Sequence, residues 1–151
     1  INDDPNVWAT MWREQVDQNM IPYYMFVERD TGPKQFFEIP LEHAWNIFRE
    51  AYQRVSGICR TVRGPVMSAT PGKVQVLGVA DVAGERVFTL RFLQGRNPDW
   101  VARPFFAKHD HGATWLDQLT PAFGDEKFFY QNELNSILGG DSDIDDSISF
   151  E

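Results

Sequence analysis

A seven-residue apolar run, IPYYMFV at 21–27, constrains the fold of this chain more than any other feature. Polar residues lie close to the run on both sides, and strands that are buried on both faces of a parallel sheet have this composition. Segments with helical spacing precede and follow it, at about 5–19 and 40–56. The alternation of helix, buried strand and helix favours an α/β fold.

The two helices have recognisable ends. The pair Asp4-Pro5 predicts the start of the first helix, because an aspartate cap followed by proline is a common helix N-terminus. The second helix has an apolar stripe along one face, and Gly57 is placed as its left-handed C-terminal cap.

The pattern changes after the second helix. The segment 62–73 (VRGPVMSATPGK) is rich in proline, glycine and small residues and predicts a loop. Two β-rich runs follow, joined around Ala83-Gly84, and predict an antiparallel hairpin. The aromatic, irregular segment after them predicts a packed, loop-rich extension with short helical turns near 113–119 and 131–138.

The formal charge of −8 is concentrated near the C-terminal end. Residues 139–151 carry five carboxylates and neither lysine nor arginine, which is typical of a solvated, mobile end. The rest of the chain has no strong basic field, so nucleic acid is not an expected partner. No apolar run reaches the length of about 18 residues that a membrane helix needs, so no membrane partner is expected.

Cys59 is the only cysteine in the sequence. A single cysteine excludes an intrachain disulfide and a cysteine-held zinc or iron–sulfur centre built from these residues alone. A reducing, cytoplasmic location is the natural expectation. Cys59 itself is expected to be a small buried hydrophobe.

Several short motifs connect the sequence with a known enzyme family. Ile-Asn-Asp stands at 1–3, and Pro-Tyr-Tyr stands at 22–24 after an intervening helix. This arrangement resembles the lysine 2,3-aminomutase family of radical S-adenosylmethionine enzymes, in which a barrel strand ends in Gly-Ile/Val-Asn-Asp and a later strand contains Pro-Tyr-Tyr. The Ser-Gly at 56–57 and the Pro-Gly-Lys at 71–73 fall where that family has Thr-Ser-Gly and a glycine-rich loop ending in lysine. The resemblance covers about residues 1–76.

The resemblance implies a fold and a division of the chain. The expected fold is the C-terminal part of a TIM-type radical SAM barrel, followed by the antiparallel hairpin and an aromatic, loop-rich extension. Residues 1–72 would form the edge of the barrel, 73–138 the hairpin and extension, and 139–151 the acidic tail. The remaining barrel strands would belong to an upstream part of the same protein.

The resemblance also implies an activity and its cofactors. Enzymes of this family move an amino group between neighbouring carbons of an amino acid substrate. A [4Fe-4S] cluster on a CxxxCxxC motif cleaves S-adenosylmethionine to a radical, and pyridoxal phosphate (PLP) holds the amino group. That cluster motif is absent from these residues, so this chain alone is expected to be inactive.

Lys73 is the strongest site candidate, because it aligns with the family lysine that forms a Schiff base with PLP. The neighbouring Gly72 allows the backbone to approach a cofactor closely, and a partly desolvated lysine is a suitable nucleophile. The alternative is an exposed lysine that begins a strand. Asn2 is expected at the active mouth of the barrel, where it could contact bound cofactor.

The substrate side departs from the lysine enzyme, which holds the far ammonium of lysine with two aspartates. An ungapped alignment puts Arg29, beside Asp30, at the first of these positions and Ser68 at the second. A cation in place of an acid favours a carboxylate over an ammonium, so we expect an acidic or neutral amino acid substrate with Arg29 as the clamp. A one-residue shift would restore Asp30 and lysine, and a loop salt bridge is the alternative role of Arg29.

No metal site is expected. Asp4 stands where the lysine enzyme has a cysteine for a structural zinc, and the partner cysteines are also missing. The segment 109–111 (His-Asp-His) has a spacing that can ligate zinc, but this spacing is generic and no third distant ligand is evident. A surface loop is therefore the expected structure there, and His43 is expected to be exposed or to cap its helix.

Two other functions remain open: a stand-alone binding or scaffold module, and a PLP-binding protein without radical chemistry. A CxxxCxxC motif upstream would support the aminomutase interpretation and exclude both alternatives. The aromatic residues of the C-terminal half are expected to be core or to cover a neighbouring subunit, which is compatible with a homo-oligomer.

Overall fold

The computed structural model describes residues 2–29 and 32–140. Within these ranges one five-stranded sheet has the strand order β1-β2-β3-β4-β5. The strands are β1 (Tyr24–Phe26), β2 (Arg63–Ala69), β3 (Gly72–Val82), β4 (Glu85–Gly95) and β5 (Pro104–Lys108). The α-helices are α1 (Pro5–Asp17), α2 (Lys34–Phe37), α3 (Leu41–Gln53) and α4 (Gln131–Gly140). Short 3-10 helices span Gly57–Thr61, Pro98–Trp100 and Leu116–Gln118.

The prediction that the chain forms part of a TIM-type barrel is wrong, because the sheet is open and mixed. Strands β1 and β2 pair in parallel, whereas β2 through β5 pair antiparallel. Barrel strands are all parallel and need a long crossover between neighbours, but a two-residue turn joins β2 to β3 and another joins β3 to β4. The segment 62–73, expected as a loop, instead forms β2 and the start of β3. The chain is a small α/β domain.

The local predictions for α1 and for the hairpin are confirmed. The Asp4 carboxylate accepts a hydrogen bond from the backbone N–H of Asn6 at 2.8 Å, and Pro5 begins the helix. Between β3 and β4, Ala83 and Gly84 have φ angles of 51° and 81°. Two successive residues with positive φ make the tight turn whose twist matches that of the strands it joins.

The register of the strands assigns residues to the two faces of the sheet. Val74 lies opposite both Met67 and Phe92, and Val76 lies opposite Leu90. Directly opposed residues share a face, and this face carries the main hydrophobic core. Trp100, Phe105, Trp115, Phe128 and Tyr130 belong to the same core, so much of the aromatic extension packs within the chain.

A second, smaller core joins α1 and α3 to the β1 end of the sheet. Its buried members are Ala9, Trp12, Met25, Ile47, Ala51, Val55 and Val62. The Trp12 ring meets that of Phe48 edge-on at 5.9 Å, which fixes α1 against α3. Leu41 of α3 also belongs to the main core, so α3 connects the two cores.

The opposite face of the sheet is more polar. Gln75 lies opposite Arg91, and Lys73 lies opposite Ser68. The buried Gln75 amide donates to the Gly64 carbonyl at 3.2 Å and accepts from Arg91 Nε at 3.0 Å. These bonds satisfy a polar side chain that would otherwise be costly to bury.

Three sequence predictions fall outside the described residues. These concern Ile1, the candidate substrate residue Asp30, and the part of the acidic tail at 141–151. Within the described ranges, none of the helices combines the length and apolar character that crossing a bilayer requires.

Candidate functional site

Three of the expected site residues lie at one edge of the sheet. Arg29 follows β1 by three positions, and Ser68 is the penultimate residue of β2. Because β1 and β2 are parallel, their carboxyl ends lie at the same edge. Lys73 joins them there, since it lies directly opposite Ser68 in the antiparallel pair β2–β3.

Arg29 and Ser68 line the same open cavity, which has a volume of about 380 Å³. Its other lining residues are Ala69, Thr70, Arg96, Trp115 and Asp117. The lining thus contains two guanidinium groups and one carboxylate in a chain of net negative charge. Guanidinium groups and hydroxyls together suit a carboxylate or phosphate, because both offer donors to anionic oxygens.

Arg96 is a lining residue that the sequence analysis missed. Its Nε donates to the Thr70 carbonyl at 2.8 Å, and its backbone N–H donates to the Pro71 carbonyl at 3.0 Å. These bonds tie the end of β4 to the turn between β2 and β3 and hold the guanidinium beside the cavity. The turn at Ala83-Gly84 could have located Arg96 from the sequence. Counting outward from this turn pairs Gly95 with Gly72, as observed, because the two register shifts along β3–β4 cancel, and Arg96 is the next residue.

Lys73 is not among the residues that line this cavity. The half-buried Lys73 places its Nζ 5.3 Å from the centroid of the Tyr24 ring, and the Arg63 guanidinium lies 5.9 Å from the same ring. Cations are attracted to aromatic faces at such distances. Lys73 is therefore paired with Ser68 in the sheet, and its side chain lies over the Tyr24 ring.

The surroundings of Tyr24 combine phenols and cations. The rings of Tyr23 and Tyr24 are 4.1 Å apart, and Arg63 also lies over Tyr23 at 5.5 Å. A hydrogen bond with Tyr24 raises the pKa of Tyr23 above its ordinary value, while the positive charges of Arg63 and Lys73 oppose this shift. Residues Tyr23, Tyr24, Arg63 and Lys73 are called the Lys73 cluster below.

The Lys73 cluster has the groups that PLP requires. The cofactor needs a primary amine for its aldehyde, a cation for its phosphate and an apolar surface for its ring, and these residues offer all three. Gly72 brings the backbones together beside the lysine: its φ is 146°, and a Cβ there would lie 2.0 Å from the Gln94 carbonyl oxygen. These residue types are compatible with this cofactor.

Asn2 lies apart from the other candidates. Its φ is 52°, and its carbonyl accepts a hydrogen bond from the Trp8 indole at 2.7 Å. It lines a different cavity, of about 380 Å³, together with Val27 and Glu28 at the end of β1. The structure does not bring Asn2 into one cavity with Arg29 and Ser68.

A second cluster joins residues that are far apart in the sequence. Glu42 Oε2 lies 2.9 Å from His109 Nε2 and 3.3 Å from His111 Nδ1, and Arg86 Nη2 lies 2.9 Å from Glu42 Oε1. The hydrogen bond from His109 lowers the pKa of Glu42, Arg86 acts in the same direction, and burial opposes both. His43, the neighbour of Glu42 on α3, is exposed, as expected.

Comparison of the chain with protein-family models, with curated proteins and with solved structures found no match. The aminomutase interpretation therefore depends on the short motifs at 1–3, 22–24 and 71–73 and on the chemistry of the residues described above.

Proposed function

We propose that this chain supplies the PLP lysine and part of the substrate site of a radical S-adenosylmethionine amino acid aminomutase. The observation that supports the proposal most directly is that three candidate site residues lie close to one another in the fold. Arg29, Ser68 and Lys73 were chosen by alignment with positions of the aminomutase family, and they lie at the same edge of the sheet. The proposal does not require a barrel within these residues.

In this proposal Lys73 holds the cofactor, and Arg63, which lies over the same Tyr24 ring, supplies the cation for its phosphate. PLP, when bound, would hold the substrate's amino group while it moves between neighbouring carbons. The Tyr24 ring lies over the Lys73 amine and shields one side of it from water.

The cavity beside β1 and β2 is the proposed position of the substrate's carboxylate. Arg29 and Arg96 supply the positive charge, and Ser68 supplies a hydroxyl donor. Asp117 is the one carboxylate of the same lining and only partly offsets the two guanidinium groups. The excess of positive charge supports an acidic or neutral amino acid as the substrate rather than lysine.

The remaining cofactors belong to another part of the protein in this proposal. Cys59 is the only cysteine of the chain, so an upstream part of the same protein would hold the [4Fe-4S] cluster and S-adenosylmethionine. The free thiol of Cys59 and an oxygen-sensitive cluster both suit the reducing cytoplasm, which is the location we propose. A homo-oligomer is compatible with this arrangement.

Reductive trapping of PLP tests the role of Lys73. The full-length protein is incubated with PLP, reduced with borohydride, digested and analysed by mass spectrometry. We expect the pyridoxyl group on Lys73 and its loss in Lys73→Ala, because only a primary amine can form the imine.

Lys108→Ala is the matched control for this experiment. Lys108 is an exposed lysine at the end of β5, so its removal should leave the labelling unchanged. Labelling of other lysines with an unmodified Lys73 in the folded, full-length protein would remove Lys73 from the site.

A comparison of substrates tests the role of Arg29. We expect the full-length enzyme to convert glutamate in preference to lysine. Arg29→Ala should raise the KM for glutamate about tenfold or more, since a hydrogen bond to a charged group contributes roughly 1.5–3 kcal/mol. Arg49→Ala is the control, because Arg49 is exposed on α3 and lies over Trp45, outside the cavity lining. Turnover of lysine alone would defeat the assignment.

A binding module without radical chemistry is the second candidate function. The domain has two hydrophobic cores of its own, and its sheet presents Tyr23 and Phe26 at 58% and 48% exposure. An exposed aromatic and cationic surface suits an anionic ligand that binds reversibly. In that case PLP would dissociate on dialysis, and borohydride would leave Lys73 unmodified.

A further inference from the structure

We propose that Glu42, His109 and His111 form a binding site for one divalent cation of the zinc type. The three side chains are called the Glu42 cluster, and the site is independent of the proposed aminomutase function. Two imidazoles and one carboxylate are a ligand set that zinc binds in proteins, with an open position left for water or substrate.

The distances within the Glu42 cluster suit a single ion. One ligand atom from each residue lies within 4.8 Å of the other two. Ligands of tetrahedral zinc, at about 2.0–2.1 Å from the metal, stand roughly 3.3 Å from one another. Glu42 Oε2 and His111 Nδ1 are 3.3 Å apart, and Glu42 Oε2 and His109 Nε2 are 2.9 Å apart, so both of these separations are close to the spacing that a tetrahedral ion requires.

The protein orients His109 before any ion arrives. Its ring stacks on Phe88 with centroids 5.2 Å apart, and its backbone N–H donates to the Arg86 carbonyl at 3.0 Å. Its side chain is only 14% exposed, which restricts its rotamers. A ligand held in this way loses little conformational entropy when a metal binds.

The loop after β5 brings the second histidine into position. The Asp110 carboxylate accepts a hydrogen bond from the backbone N–H of Gly112 at 2.8 Å, which tightens the turn that carries His111. The His111 side chain is 92% exposed. The proposed site therefore opens to solvent on the side of His111, and an ion and its water ligand can reach it.

Arg86 completes the site as an outer partner. Its guanidinium binds Glu42 Oε1 at 2.9 Å and leaves Oε2 directed at the two histidines. Outer partners of this kind orient a metal-binding carboxylate. A plain ion-pair network is the alternative account of these contacts, and metal titration separates the two.

Metal titration of the chain tests this proposal. The chain is stripped with a chelator and titrated with Zn²⁺ by calorimetry, and Co²⁺ is used to follow coordination by visible absorption. We expect one ion per chain and a cobalt spectrum typical of nitrogen and oxygen ligands. Glu42→Gln and His111→Ala should each weaken zinc binding about tenfold or more, by analogy with the losses that even outer-sphere changes cause.

The chain offers a matched control for this titration. His43→Ala removes the remaining histidine, which is exposed on α3 beside Glu42 and outside the cluster, and should leave zinc binding unchanged. His111→Ala should fold normally because its side chain is so exposed, so this variant decides the result if Glu42→Gln is unstable. No zinc binding at micromolar concentrations, or equal binding by His111→Ala, would overturn the proposal, as would an equal loss in His43→Ala.

Discussion

Gly72→Ala is expected to destabilise the folded chain by about 3 kcal/mol or more, since it forces a clash between backbones. Gly72 has a φ of 146°, and an added Cβ would lie 2.0 Å from the Gln94 carbonyl oxygen and 2.9 Å from the Gly95 Cα. Both atoms belong to β4, so the clash can be relieved only if β3 and β4 move apart. Urea denaturation followed by circular dichroism measures the change in the free energy of unfolding.

Gly84→Ala is the control that separates steric clash from torsional strain. Gly84 also has a positive φ, of 81°, but a Cβ there meets no atom within 4 Å. Only the torsional cost of about 1–2 kcal/mol is expected. Equal losses in the two variants would show that β3 and β4 do not approach each other as closely beside Lys73 as described.

Phe92→Ala is expected to cost about 3–5 kcal/mol, the range for removing a large buried aromatic side chain. Phe92 has no exposed surface and lies at the centre of an aromatic group. The rings of Trp100, Phe105 and Tyr130 stand 5.6, 5.4 and 5.0 Å from it. The cavity left by alanine would remove contacts with all three rings, and urea denaturation again measures the loss.

Phe36→Ala provides the comparison at an exposed site. Phe36 is 85% exposed on α2, so its truncation should change the free energy of unfolding by no more than about 0.5 kcal/mol. A small loss for Phe92→Ala, similar to that of Phe36→Ala, would mean that the C-terminal aromatic segment does not pack on the sheet.

Local signals predicted the elements that depend on neighbouring residues. The Asp4-Pro5 pair predicted the start of α1, and Ala83-Gly84 predicted the turn between β3 and β4. Each of these features is stabilised by hydrogen bonds and torsions that span only a few residues. The apolar stripe of the second helix similarly predicted α3, which is somewhat shorter than the expected 40–56.

Strand β2 shows where local signals failed. Its sequence, RGPVMSA, contains glycine, proline and small residues that predict a loop. It is nevertheless a central strand, because it pairs with β1 on one side and with β3 on the other. Strand formation depends more on such pairing and burial than on intrinsic preference. Because β2 was predicted to be a loop, its antiparallel pairing with β3 was missed, and the family resemblance alone implied the barrel.

The sequence by itself determined the turns, the helix starts and the chemical types of the candidate residues, because these depend on each residue and its near neighbours. Only the tertiary structure decided which of them meet. Arg96 reaches the cavity of Arg29 because β4 runs back alongside β3, and Glu42 meets His109 because α3 packs on the sheet near the end of β5. Such contacts arise from packing between distant segments, which no local pattern of residues encodes.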